Sequence, residues 1–174
     1  YNQAARDAGK DSLTKIYTRS VTEQLVNHIL LSQPDRMHAL IMMNIDGFAA
    51  VNETYGNEAG DKILTELAQK LTIFFRQYDL VGHCGGDEFC VFMTSVPSAQ
   101  LVAEKCAALE RLLEDESFKE SPAEISITIG AALSVGRAKS FAVLYQNADQ
   151  ALYAAKKRGK NHAAPLEHQG AFPA

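Results

Sequence analysis

Apolar positions recur at helical spacing over residues 20–32 and stop before Pro34, which predicts a helix. Residues 38–45 (His-Ala-Leu-Ile-Met-Met-Asn-Ile) form a short, nearly unbroken apolar run, the pattern of a buried strand, and Asp46-Gly47 ends it. A short helix at 48–54 is broken by Gly56. A longer amphipathic helix over 58–76 places Ile63, Leu64, Leu67, Leu71 and Phe74 on one face. Two strand-like runs, 79–84 and 88–94, flank Gly85-Gly86. Adjacent glycines between such runs predict a tight hairpin, because glycine takes φ > 0 without a Cβ clash. Pro97 and Ser98 introduce a helix over 98–113, and the charged, turn-rich stretch 114–122 reads as a loop. Residues 124–133 alternate as a strand does, and a last helix over 140–158 stops at Gly159. The order is helix, strand, helix, helix, hairpin, helix, strand, helix, which is an α+β sheet domain with helices packed on the sheet.

At 174 residues the chain fits one domain with a sizeable core, expected over 13–162. Residues 1–12 read as a polar helical lead-in or linker, and 163–174 as a flexible tail without periodicity. A hydrophobic content of 47% with 22% charged residues is that of a globular chain rather than a disordered one. No apolar run approaches membrane-spanning length and no signal peptide opens the chain. The start at Tyr1 rather than Met predicts a piece of a longer protein, with sensor or membrane parts elsewhere. The net charge of −4 argues against broad electrostatic binding to nucleic acid. Cys84, Cys90 and Cys106 lack metal-ligand spacing and read as small core hydrophobes, so a reducing cytoplasm is the expected location.

The candidate chemistry gathers where strands end. Asp87 and Glu88 sit side by side at the hairpin, and paired carboxylates beside glycine backbone suit a divalent cation and a phosphate chain. Asn44 and Asp46, two apart, share one face of the first strand. If that strand neighbours the hairpin, Asn44 and Asp87 could reach one cation, for which Mg²⁺ is suited; Asp46-Gly47 alone is also an ordinary strand-ending turn. Asp61 reads either as a first-turn acid favoured by the helix dipole or, with Asn52, as a reader of a guanine edge. Lys156, Lys157, Arg158 and Lys160 favour a helix C-terminus electrostatically and could also neutralise a triphosphate. Arg76 and Asp79, three apart, read as an ordinary surface pair.

Taken in order, these motifs closely resemble the GGDEF family, the diguanylate cyclase domain, over nearly the whole chain. Asp11-Ser-Leu-Thr-Lys-Ile-Tyr-Thr-Arg19 is similar to its D-x-L-T-x-L-x-N-R opening. Residues 41–52 resemble its strand and metal motif, and Gly60-Asp61 its G-D pair. The signature is complete at 85–89, and Ala148 to Lys156 resembles its closing helix. The resemblance implies a central, mostly antiparallel sheet flanked by helices, like nucleotidyl cyclases and the polymerase palm. It also implies a homodimer that condenses two GTP to cyclic di-GMP and pyrophosphate with Mg²⁺ or Mn²⁺. On that footing Asn44, Ile45 and Asp87 form the metal set, and Glu88 is a further active-site carboxylate. Asn52 and Asp61 read guanine, Gly85 and Gly86 admit the phosphates, and Lys156 and Lys160 hold them. Arg76 and Asp79 form the inhibitory R-x-x-D site for product. Three positions depart from the family: Asn44 replaces its metal-binding Asp, Ala49 a phosphate-contacting Lys and His83 an Arg before the signature. Lys160 replaces the Arg of its closing G-R-N motif, losing the bidentate fork. Losing cation-holding and phosphate-holding groups implies weakened turnover. The alternative is a degenerate domain that binds GTP or cyclic di-GMP as a receptor.

Overall fold

A computed structural model describes residues 8–115, 118, 121–135 and 140–158. Five strands form one sheet: β1 (Tyr17–Thr18), β2 (His38–Ile45), β3 (Leu80–Gly85), β4 (Glu88–Met93) and β5 (Ile127–Ser134). Their order is β1-β3-β4-β2-β5, with β1 parallel to β3 and every other pair antiparallel. Five helices are α1 (Arg19–Ser32), α2 (Phe48–Tyr55), α3 (Asn57–Phe74), α4 (Ala99–Asp115) and α5 (Phe141–Arg158).

The apolar run of β2 lies between β4 and β5, and period-two alternation divides it between two cores. Ile41, Met43 and Ile45 face a core with Ile63, Leu67 and Leu71 of α3 and Val102, Cys106 and Leu109 of α4. Leu40 and Met42 face the other, with Val26 and Leu30 of α1 and Phe141, Leu144, Ala148 and Leu152 of α5. Each such fully buried aliphatic side chain contributes about 1.5–3 kcal/mol of transfer free energy. This is an α+β fold with helices on both faces, as the sequence pattern implies.

The lead-in departs from its expected form. Residues 8–12 are turn and bridge rather than helix: Lys10 bridges Tyr17, and Gly9 accepts from the Thr18 amide at 3.0 Å. β1 has no counterpart in the periodicity, because two residues carry no period. The fifth strand begins at Ile127 rather than 124. Residues 1–7, Gly159 and the tail lie outside the described residues.

Two close approaches seat the helices. An ideal Cβ on Gly130 of β5 falls 2.3 Å from the Leu152 amide nitrogen and 2.7 Å from the Ala148 carbonyl oxygen, so only glycine lets the α5 backbone rest there. A Cβ on Gly60 of α3 falls 1.8 Å from Asn52 Oδ1, so that small residue admits the Asn52 side chain from α2. Among the described residues no helix is long and apolar enough to cross a membrane.

Candidate active site

The β3–β4 turn closes in two residues, Gly86 and Asp87, between the paired Gly85 and Glu88. Gly85 has φ 121° and Gly86 φ 52°, and positive φ at the first central position is the pattern of a type II′ turn. The double glycine therefore does what its position predicts, and a bulge between His83 and Gly85 re-aims the strand end.

Register then builds a polar row across the sheet. Glu88 of β4, Asn44 of β2 and Thr128 of β5 are directly opposed on three adjacent strands. Their side chains share the face on which α5 packs, because Met42 and Cys90, two residues away, do so. The Asn44 amide is committed at both ends. Its Oδ1 accepts from Lys156 Nζ at 2.5 Å, and its Nδ2 donates to the Asp87 carbonyl at 3.5 Å. The Ile45 amide donates to the same carbonyl at 3.1 Å, tying β2 to the turn. Lys156 reaches Asn44 because it lies one turn beyond Leu152, where α5 touches Gly130.

Glu88 is held from α5. The Tyr145 hydroxyl donates to Glu88 Oε1 at 2.5 Å, and the Arg19 guanidinium lies 4.4 Å from the Tyr145 ring centre. Burial, then the bond to Glu88, pushes the Tyr145 phenol well above its ordinary value. The Asp87 carboxylate has no partner among the described residues. Asp46, by contrast, is spent on structure: it accepts from Ser126 Oγ at 2.9 Å and Thr128 Oγ1 at 2.8 Å. Its turn-ending role is the one the structure supports.

His83 ties the signature turn to the N-terminal Asp11 turn. Its Nδ1 meets Asp11 Oδ2 at 2.5 Å and its Nε2 meets the Gly86 carbonyl at 2.8 Å, while its ring stacks on Phe89. Both partners are acceptors, and each ring nitrogen lies within hydrogen-bond distance of one of them. Burial raises the Asp11 carboxyl, but bonds from His83, Leu13 and Thr14 outweigh it and hold the group below its ordinary value.

Asn52 and Asp61 are brought to one place, since Asn52 lies against Gly60, the neighbour of Asp61. Asp61 also lines a groove of about 310 Å³ with Leu13, Glu58 and Gln69. Arg76 and Asp79 correct the surface-pair expectation, because the Asp79 side chain is fully buried. Arg76 forks onto it from Nε (2.9 Å) and Nη2 (2.7 Å), and the amides of Arg76 and Thr94 also donate to that carboxylate. Lys10, Lys15, Tyr17 and Arg76 line an adjoining groove of about 370 Å³. The Cys84 and Cys90 sulfurs lie 2.9 Å apart, Cys90 and Cys106 are buried, and Cys84 is half-buried. Lys160 lies outside the described residues.

A cation can be placed only in part. Asp87 and the free oxygen of Glu88 are hard donors of the kind Mg²⁺ takes with substrate phosphates. Asn44 Oδ1 instead faces an ammonium, and no cluster of three His, Cys, Asp or Glu ligands exists among the described residues. The charged oxygens available to a cation therefore lie at the turn, on Asp87 and Glu88, while Asn44 Oδ1 already faces a positive group.

Sequence reasoning missed Tyr145 and Asp11 as partners of the site. A signal for the first exists: Tyr145 lies in the sheet-facing stripe with Phe141, Ala148 and Leu152, and a phenol there needs a polar partner.

The family description "Diguanylate cyclase, GGDEF domain" matches residues 8–162. The chain is 31% identical over 153 residues to the bifunctional diguanylate cyclase/cyclic di-GMP phosphodiesterase MucR of Pseudomonas aeruginosa, covering 87% of this chain and 22% of MucR. It is 31% identical to the probable diguanylate cyclase DgcT of Escherichia coli, covering 88% of this chain and 35% of DgcT. It thus spans about a third or less of these two relatives. Among solved structures, the GGDEF domain of YfiN (TpbB) from Pseudomonas aeruginosa is 28% identical with a TM-score of 0.80, covering 87% of this chain and 91% of that one. The coiled coil and GGDEF domain of DgcB from Caulobacter crescentus, solved with c-di-GMP, shares the fold at a TM-score of 0.83 and 23% identity over 93% of this chain and 87% of that one. The palm-like sheet, the intact signature turn and this match over residues 8–162 make one conclusion: the chain belongs to the diguanylate cyclase GGDEF domain family.

Proposed function

We propose that this chain is a diguanylate cyclase domain of reduced turnover. Two copies each hold one GTP. The 3′-hydroxyl of each nucleotide attacks the α-phosphorus of the other, forming cyclic di-GMP and releasing two pyrophosphates. The observation that carries the reading is the intact turn, with the Asp87 carboxylate, unpartnered among the described residues, beside the Glu88–Asn44–Thr128 row.

Asn52 and Asp61 take the guanine edge: the carboxylate accepts from N1–H and the exocyclic amine, and the amide adds one hydrogen bond. Gly85 and Gly86 let phosphate oxygens approach the backbone, and Lys156, with Lys160, neutralises them. Asp87 and Glu88 would hold a Mg²⁺ or Mn²⁺ ion, which when bound stabilises charge on the reacting phosphate. Tyr145 fixes the Glu88 rotamer through a 2.5 Å bond, so that carboxylate needs little reordering when substrate arrives. Asn44 supplies an oxygen without charge and is a poor base. Reaction across two copies requires a homodimer. Sensor or membrane domains elsewhere in a longer protein are consistent with the short span of the relatives, and we place the domain in the cytoplasm. The groove beside Arg76, with Lys10 and Lys15, is where product would bind and restrain the enzyme.

The second reading is a receptor that binds GTP without turning it over, and the ammonium on Asn44 is what favours it. Incubation with GTP and Mg²⁺, then Mn²⁺, followed by chromatography, tests the proposal. Cyclic di-GMP from the native chain, lost in Asp87→Asn, supports it; no product under any condition, with GTP still bound, leaves the receptor.

A further inference from the structure

The Lys156–Asn44 contact has a consequence for how many metal ions the site takes. The amide orientation is fixed: turned over, its NH₂ would face an ammionium-bearing side chain and its oxygen the Asp87 carbonyl, so Oδ1 must point to Lys156. Nor is the lysine there through side-chain length alone. The α5 backbone rests on Gly130, which brings the next turn of the helix to the end of β2. The Asn44 position therefore holds a positive charge already and offers no negative one to attract another. On the other side of the row, Glu88 gives one oxygen to Tyr145 and keeps one. With Asp46 bonded to Ser126 and Thr128, the charged donors left at the turn among the described residues are that oxygen and the Asp87 carboxylate.

We infer that each site takes one divalent ion, at Asp87 and Glu88, and that the Lys156 ammonium occupies the place of a second one beside Asn44. This rests on the nucleotide-site reading above and deepens it. With no charged oxygen at Asn44, Lys156 would be the positive group facing the nucleotide phosphates on that side, so nucleotide affinity would depend on Lys156 as well as on metal.

The test counts ions. The purified chain is titrated with Mn²⁺ and a GTP analogue carrying a methylene bridge between the α- and β-phosphorus, which cannot be cleaved there. Equilibrium dialysis gives the stoichiometry, and electron paramagnetic resonance shows whether two ions are spin-coupled. The native chain is expected to bind one uncoupled Mn²⁺ with the analogue. Asn44→Asp adds the charge with which a divalent ion can displace the Lys156 ammonium, and should bind two coupled ions. Lys156→Met, at an exposed position, should fold normally and bind the analogue about tenfold or more weakly. Two ions on the native chain, one ion on both the native and Asn44→Asp chains, or unchanged analogue affinity in Lys156→Met would each overturn the inference. No analogue binding to either the native or the Asn44→Asp chain would instead overturn the nucleotide-site reading, and the inference with it.

Discussion

Replacing Gly130 with alanine tests how α5 is seated, and with it the placement of Lys156. An ideal Cβ there would lie 2.3 Å from the Leu152 nitrogen, 2.6 Å from its Cα and 2.7 Å from the Ala148 oxygen. Comfortable heavy-atom separations are about 3.5 Å or more, and all three neighbours are main-chain atoms, so no rotamer change relieves the clash. The helix must retreat by roughly 1 Å, and a gap of that size forfeits a quarter to a half of each dispersion contact it loosens. Phe141, Leu144, Ala148 and Leu152, each 4% exposed or less, are the side chains affected. Overpacking of this kind costs about 1–3 kcal/mol, and a backbone clash puts it at the upper end. Restricting the unfolded chain returns about 0.4–1 kcal/mol. The net loss is about 2 kcal/mol. With a urea slope of about 2 kcal/mol/M, the unfolding midpoint should fall by about 1 M at unchanged slope. Lys156→Met, on the exposed end of the same helix, should leave the midpoint within about 0.2 M. A Gly130→Ala chain as stable as the native one would refute the close seating of α5.

Other expectations concern single groups. Burial holds His38 below its ordinary value, opposed by its bond to the Gln33 carbonyl. Below pH about 6.5 the unfolded chain takes up a proton that the folded one refuses, so stability falls as pH drops through that range, and His38→Gln should lose that part of the slope in urea midpoints measured at pH 7.5 and 5.5. Tyr145 is shifted the other way: above pH about 10 the unfolded phenol ionises first, so stability falls as pH rises, and Tyr145→Phe should show a shallower alkaline loss in urea midpoints. Arg76→Ala strands the fully buried Asp79 carboxylate. Because Arg76 itself is partly exposed, the loss should be about 2–3 kcal/mol rather than the larger figure for a wholly buried pair, and Arg76→Lys should recover less than half of it in denaturant titrations.

The sheet was legible where periodicity or glycine spoke plainly. β2 announced itself as an apolar run because helices cover both faces of the sheet there, and the hairpin because Gly85 and Gly86 take positive φ. β1 was silent, since Tyr17 and Thr18 pair with Gly82 and His83 far along the chain and carry no local pattern. The same distance hid the parts of the site that local spacing cannot encode. Tyr145 and Glu88 lie 57 residues apart, Asp11 and His83 72, and Lys156 and Asn44 112. The Arg76–Asp79 pair was visible as an i,i+3 spacing, but its burial was not, because it depends on the Thr94 backbone closing over the carboxylate.

Cyclic di-GMP formation by the native and Asn44→Asp chains, assayed side by side with GTP and saturating Mn²⁺, tests the central claim most directly. The account predicts product from both, with Asn44→Asp faster by about tenfold or more, which corresponds to about 1.4 kcal/mol of transition-state stabilisation regained. GTP binding by both chains with no product from either, although both dimerise, would contradict it.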